Sequence, residues 1–164
     1  MCRKQTGRLA IPVFILAAAL NGVPAAAFDT GDGYSSGSSD SSAINVSREM
    51  EKARTYLAAE KWAAADRVLR SIVRSDRTNA DAYNLLGFAN RKLNRLKFAG
   101  RFYDRALKLD PAHLGALEYQ GELFLMLNQL QSAHANLAEL RRLCGTGCEE
   151  YQDLKSAVDA YAGS

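Results

Sequence analysis

The run ADAYNLLGFANRKLNRLKFAGRFYDRALKLDP, residues 80–111, decides the fold. Tyr83, Leu86, Gly87 and Asn90 fall at i, i+3, i+4 and i+7, the spacing of one face of an α-helix, and Leu96, Ala99, Tyr103, Ala106 and Leu107 form a second such face. Pro111 has no backbone donor to continue a helix and ends it. Small residues let helices approach closely and aromatics fill the space left over. Gly87 and Ala99 are therefore expected at the closest contact, with Tyr83 and Tyr103 as the filling. One such pair cannot bury its apolar face alone, so the pattern has to continue on both sides.

The chain meets that demand. Downstream, Leu117, Gly121, Phe124, Ala133, Leu137 and Leu140 repeat the spacing of Tyr83, Gly87, Asn90, Ala99, Tyr103 and Ala106, with Gln120 replacing Leu86 and Gly145 replacing Pro111. Upstream, Ala53, Tyr56, Ala65, Leu69 and Ile72 keep the phase, although Glu49 and Lys52 are poor matches at its start. The pattern resembles the tetratricopeptide repeat (TPR), an aromatic, Leu-Gly, a second aromatic, Ala-x3-Phe and a closing Pro over about 34 residues. Tyr83, Leu86-Gly87, Ala99, Tyr103 and Pro111 fill those places, and only Asn90 departs, standing where an aromatic should be. The resemblance implies an all-α fold, an antiparallel helix-pair solenoid of three repeats (46–79, 80–113 and 114–145) followed by a C-terminal capping helix and tail, 146–164.

Positions 1–27 do not belong to that solenoid. Arg3, Lys4 and Arg8 precede the apolar run Leu9 to Leu20, and Pro24-Ala25-Ala26-Ala27 supplies the small residues a signal peptidase accepts. The segment reads as a Sec-type signal peptide cleaved after Ala27, with Cys2 leaving alongside it. The apolar run is too short to span about 30 Å of hydrocarbon, and Asn21-Gly22 breaks it. The expectation is a periplasmic or secreted protein with no membrane span after signal removal. Positions 28–45 are Asp, Gly and Ser with almost nothing to bury, the composition of a disordered leader.

The basic residues of that signal also account for the net charge of +3, so the rest of the chain is neutral. Neutrality hides a pattern: Arg67 to Lys108 has eleven Lys/Arg against Asp76, Asp81 and Asp104, whereas Leu109 to Ser164 has eight acids against three bases. A basic middle suggests nucleic acid. Export argues against it, which leaves solvated outer helix faces or a surface for an acidic protein. No enzyme signature is present: there is no glycine-rich phosphate loop, no His-Glu-x-x-His and no Gly-x-Ser-x-Gly. His113 and His134 are the only histidines, and neither has a motif around it. The chain reads as a non-enzyme without cofactor or metal.

Thr146-Gly147-Cys148-Glu149 has the spacing of a capping box, with Glu150 adding charge in the first turn of a last helix whose apolar stripe is Tyr151, Leu154, Val158 and Tyr161. Cys144 and Cys148 flank the Gly145-Thr146-Gly147 turn before it. In an exported protein they are expected to form a structural disulfide, worth roughly 2 kcal/mol by loop entropy. The other reading is a thiol redox or copper-handling pair, because a helix N-terminus favours thiolate at Cys148.

The function follows from the resemblance: a protein or peptide partner bound in a concave groove lined by the first helix of each repeat. The positions beside the core stripe are Met50 and Arg54 in the first repeat, Asp81, Asn84, Phe88, Arg91 and Lys92 in the second, and Glu118, Glu122, Leu125 and Met126 in the third. The Lys and Asn by which some members clamp a C-terminal carboxylate are replaced by Met50 and Arg54, which argues against that ligand. Phe88 either faces the groove or packs on the next helix. An adaptor, a thiol or copper factor and a self-associating stack remain open.

Overall fold

A computed structural model describes residues 40–163, with side chains from Val46 onward. The expected signal segment and most of the expected leader lie outside the described residues. Among these residues the chain forms α1 (Asp40–Ala58), α2 (Trp62–Ser75), α3 (Ala80–Lys92), α4 (Leu96–Leu109), α5 (Leu114–Met126), α6 (Leu130–Cys144) and α7 (Glu149–Ala162). α1 starts within the stretch read as leader, and its Asp-Ser-Ser opening consists of residue types that favour helix N-termini. No helix among the described residues is long and apolar enough to cross a membrane.

The repeat is written in the backbone turns. Glu60, Asn94 and Asn128, evenly spaced at one repeat apart, take left-handed backbone conformations with φ of 55°, 57° and 57°. Beside them Lys61, Arg95 and Gln129 donate to the carbonyls of Tyr56, Asn90 and Phe124, each at 2.8 Å. This closes the end of α1, α3 and α5 in the same way and sends the next helix back antiparallel. The second helices end alike: Asp76 and Asp110 accept from the backbone N–H two positions on, at 2.9 and 3.0 Å. Asn79 and His113 then cap α3 and α5, accepting from Ala82 and Ala116 at 2.9 and 3.2 Å.

Consecutive helices pair as α1 with α2, α3 with α4 and α5 with α6, and the pairs stack through α2–α3 and α4–α5. Inside the second pair Gly87 lies against the ring of Tyr103, which is fully buried; a Cβ on Gly87 would sit 2.5 Å from Tyr103 Cε1. The other two expected packing residues play different parts. Ala99 clusters with Tyr103 and Leu123 at the junction with the third pair. Tyr83 is half-buried, and the Arg105 guanidinium lies 5.7 Å from its ring centre, so Tyr103 is the ring that fills the helix contact.

Asn90 explains its own departure from the pattern. Its fully buried amide donates to Asp66 Oδ1 at 2.7 Å and to the Leu86 carbonyl at 2.8 Å, and Asp66 also accepts from Arg70 Nε at 2.9 Å. The next junction uses a similar device: Gln120 donates to Asp104 at 2.8 Å and accepts from Asn136 at 3.1 Å. An amide on the first helix of one repeat thus bonds a carboxylate on the last helix of the repeat before it. Buried polar groups need partners, and here the partner sits across the junction, which fixes the stacking register.

α7 packs on α5 and α6 and closes the stack. Tyr151, Leu154, Val158 and Tyr161 all join the last core cluster. Gly121, one repeat after Gly87, meets Leu154 of α7 where Gly87 meets Tyr103: a Cβ there would lie 2.5 Å from Leu154 Cδ2. The expected capping box is absent. Cys148 is the N-cap of α7 and makes no side-chain cap, so Glu149 is the first helical residue and not the third, too early to reach back to Thr146.

Candidate functional site

α3 packs on α5 and α5 on α7, whereas α2, α4 and α6 pack mainly on their neighbours in sequence. α3, α5 and α7 therefore lie together on one side of the stack. α5 is covered from several directions, with Ala116, Leu117, Glu118, Gln120, Gly121, Leu123 and Leu125 all buried.

On this side the aromatic and charged residues of successive helices interleave. Phe88 of α3 stands between Trp62 of α2, edge-on at 5.8 Å between ring centres, and Tyr119 of α5 at 4.9 Å. The Arg91 guanidinium lies 5.4 Å from the Phe88 ring centre and 5.6 Å from that of Tyr119, and it pairs with Glu122 of α5. Arg91 is only 10% exposed, and besides Glu122 it has the buried Tyr103 hydroxyl as a hydrogen-bond neighbour. Lys92 stretches over the rings of Trp62 and Phe88, at 5.8 and 5.4 Å.

Beyond this aromatic pairing the face turns acidic. Glu118 is 8% exposed, and burial is the main cause that pushes its carboxyl up to about 8. The charges of Glu122 on α5 and of Asp153 and Glu150 on α7 push the same way, and Arg91 opposes them only weakly. Toward the start of α5, Asn84 is 5% exposed with Oδ1 unpartnered, and its Nδ2 lies 3.2 Å from where a Cβ on Gly115 would be.

The structure thus brings Asn84, Phe88, Arg91, Lys92, Glu118 and Glu122 together along α3 and α5. Arg54 and Met126 are exposed on α1 and α5. Met50 belongs instead to the core of the first helix pair and Leu125 to that of the last, because the packing of α1 on α2 and of α5 on α6 and α7 covers them. Phe88 packs on the next helix through Tyr119. Asp81 is exposed and joins His113 Nε2 at 3.1 Å. Since His113 Nδ1 accepts from Ala116, the proton of the neutral ring is on Nε2, and the histidine ties the start of α5 to α3. Sequence reading left His113 without a role; its place one repeat after the cap residue Asn79 was the available signal. Trp62, Tyr119, Glu150 and Asp153 were also missed.

Cys144 and Cys148 are joined in a disulfide, with Cα atoms 6.0 Å apart. Their sulfurs and a Glu150 carboxylate oxygen lie within 4.8 Å of one another, the single group of three potential metal-ligand atoms among the described residues.

No protein-family model matches the chain, and no curated protein matches it. Solved structures do. The Yersinia enterocolitica type III secretion chaperone SycD, in complex with a peptide of the translocator YopD, superposes with a TM-score of 0.65 at 16% identity, over 76% of this chain and 94% of that one. The TPR2B domain of yeast Sti1, in a pHsp70 complex, gives 0.67 at 15% identity over 73% and 98%. The second TPR domain of human RPAP3, in complex with an HSP70 peptide, gives 0.64 at 17% identity over 71% and 97%. Identities this low speak for the fold, and together with left-handed turns recurring once in every repeat they make this chain a solenoid of the tetratricopeptide-repeat fold.

Proposed function

We propose that the chain is an exported, non-enzymatic interaction module that binds an extended segment of a protein partner on the face formed by α3, α5 and α7. The observation that carries this is the unsatisfied polarity of that face: Asn84 Oδ1 is buried without a partner, and Met126 is exposed further along α5. Buried polar groups without partners are costly, and a bound main chain offers both donors and acceptors. The fold neighbours SycD, Sti1 and RPAP3 are in complexes with peptides or chaperone ligands, which supports the same reading. Export rests on the order of charged, apolar and small residues in positions 1–27. The test is selection of random displayed peptides on the immobilised chain, followed by NMR mapping of the selected peptides. Amide shifts should concentrate at Asn84, Phe88, Arg91 and Glu122. Shifts confined to Arg67 of α2 and Arg101 of α4, or no enrichment, would sink the reading.

One observation favours a second role. Reduction of the Cys144–Cys148 bond would leave two thiols close enough to share a soft ion such as copper(I). Failure of the reduced chain to retain copper(I) against a competing chelator would remove it.

A further inference from the structure

We propose that the acidic end of the α3–α5–α7 face, between α5 and the first turns of α7, is a receptor for a lysine or arginine side chain of the bound segment, with Glu118 as its centre and Glu150 and Asp153 as its wall. This rests on the reading of that face as a peptide site and specifies the partner's chemistry.

Glu118 is a carboxylate buried by the packing around α5, and the nearest acids are on the same helix and on α7. The one base acting on it, Arg91 of α3, is already paired with Glu122 and covered by the rings of Phe88 and Tyr119. Arg91 is thus the base among the main charges on Glu118, and it is committed to Glu122. A second feature at the same face points to a ligand independently of charge. Asn84 is nineteen-twentieths buried, makes no hydrogen bond through Oδ1, and has its Nδ2 against Gly115, which precedes Glu118 by one helical turn. A segment lying over Gly115 reaches the Asn84 amide with its backbone and the Glu118 carboxylate with a side chain.

The occupant is a long organic cation and not a metal ion. Among the described residues, no three of these carboxylates bring ligand oxygens within 4.8 Å of one another, as Cys144, Cys148 and Glu150 bring theirs. Lysine and arginine span such separations, because their charge sits at the end of a flexible stem that can pack on a neighbouring ring such as Tyr119. Charge also orients the segment: Lys92, over the rings of Trp62 and Phe88, repels the cation that Glu118 attracts.

Proton linkage gives the site a signature. Glu118 holds its proton up to about pH 8 because of burial and of Glu122, Asp153 and Glu150, with Arg91 and Tyr119 the other groups around it. A cation binds the ionised form, so binding expels a proton, and affinity for it rises with pH by up to about tenfold per unit until Glu118 ionises in the free chain. The test uses short acetylated and amidated Leu-Ser peptides with lysine, norleucine or glutamate at the centre, titrated calorimetrically into the whole chain at about pH 6 and about pH 8.5. The lysine peptide should bind at least about tenfold more tightly than the norleucine peptide at the higher pH, with a smaller gap at the lower. Glu118→Gln should abolish both the preference and its pH dependence, while Glu139→Gln on α6 leaves them intact. Equal affinity of the three peptides overturns the cation site and leaves the peptide groove standing. A lysine preference that survives Glu118→Gln, or no binding of any of the three, overturns it too, and in the latter case the displayed-peptide selection decides separately whether the groove binds peptides at all.

Discussion

Gly87 offers the sharpest test of the packing. A methyl at this position would lie 2.5 Å from Cε1, 2.6 Å from Cδ1 and 3.0 Å from Cζ of Tyr103. That ring is fully buried among Ala99 and Leu123 and has nowhere to swing. Gly87→Ala gains about 1 kcal/mol in helix propensity and loses about 1–3 kcal/mol to overpacking. Gly100, in the middle of α4, is the control, because its added Cβ would meet only Leu123 Cδ2 at an ordinary 3.6 Å. Both variants carry the same propensity gain, so the difference between them isolates the clash. Urea unfolding should place Gly87→Ala below Gly100→Ala by about 1–3 kcal/mol, several degrees in Tm for a domain of this size. Trimming the ring in a Tyr103→Leu background should shrink that difference, as expected for two residues in contact. If Gly87→Ala proves as stable as Gly100→Ala with Tyr103 intact, the close approach of α3 and α4 at Gly87 is wrong.

Three further outcomes are expected. Asp66→Ala removes the acceptor of the buried Asn90 amide and should lower stability by about 1–3 kcal/mol; an unchanged urea midpoint would show that the junction does not depend on this bond. Phe88→Ala takes away the common neighbour of Trp62 and Tyr119 and should cost about 1–3 kcal/mol, whereas unchanged melting would mean that the ring is open to the groove. Glu118 has a folded pKa of about 8 against an ordinary 4.5, so the stability linked to its protonation is complete below about pH 4.5 and is lost as pH rises through about 8. Glu118→Gln should therefore raise Tm at about pH 8.5 more than at about pH 4, and equal shifts at the two pH values would show that the carboxyl is not buried as described.

The helices were legible because their apolar spacing repeats. Tyr103, Leu86, Ala106, Leu140 and Leu154 lie on the predicted faces, and all are buried. What periodicity cannot supply is the identity of the neighbour across a face. Asn90 looked like a defect until Asp66, on the preceding helix pair, appeared as its partner. Met50 and Leu125 occupy groove positions by number, yet they are covered, because the edge of a core stripe is set by how far the adjacent helix leans over it. Glu118 was expected at the edge of the core stripe, but nothing in the spacing of α5 shows that Glu150 and Asp153 of α7 act on its charge. The positions that edge the core stripe were readable from the repeat, but what they touch depends on contacts between helices that are distant in sequence.

Glu150 joins two features that the sequence presented separately. It lies beside the Cys144–Cys148 pair and also acts on the charge of Glu118. Cys148 is the N-cap of α7, without a side-chain hydrogen bond to hold the helix start. What fixes that start is the covalent link to the end of α6, together with Leu154 seated against Gly121 one turn further on. The link thus limits how far the first turn of α7, with Glu149 and Glu150, can drift from α5. Coulomb interaction between partly buried charges falls with distance but is screened little by salt. A small shift of that turn therefore changes the field at Glu118 more than an equal shift of an exposed acid would. The disulfide therefore bears on the charge around Glu118 only through Glu150, the weakest of the three acids that raise its carboxyl.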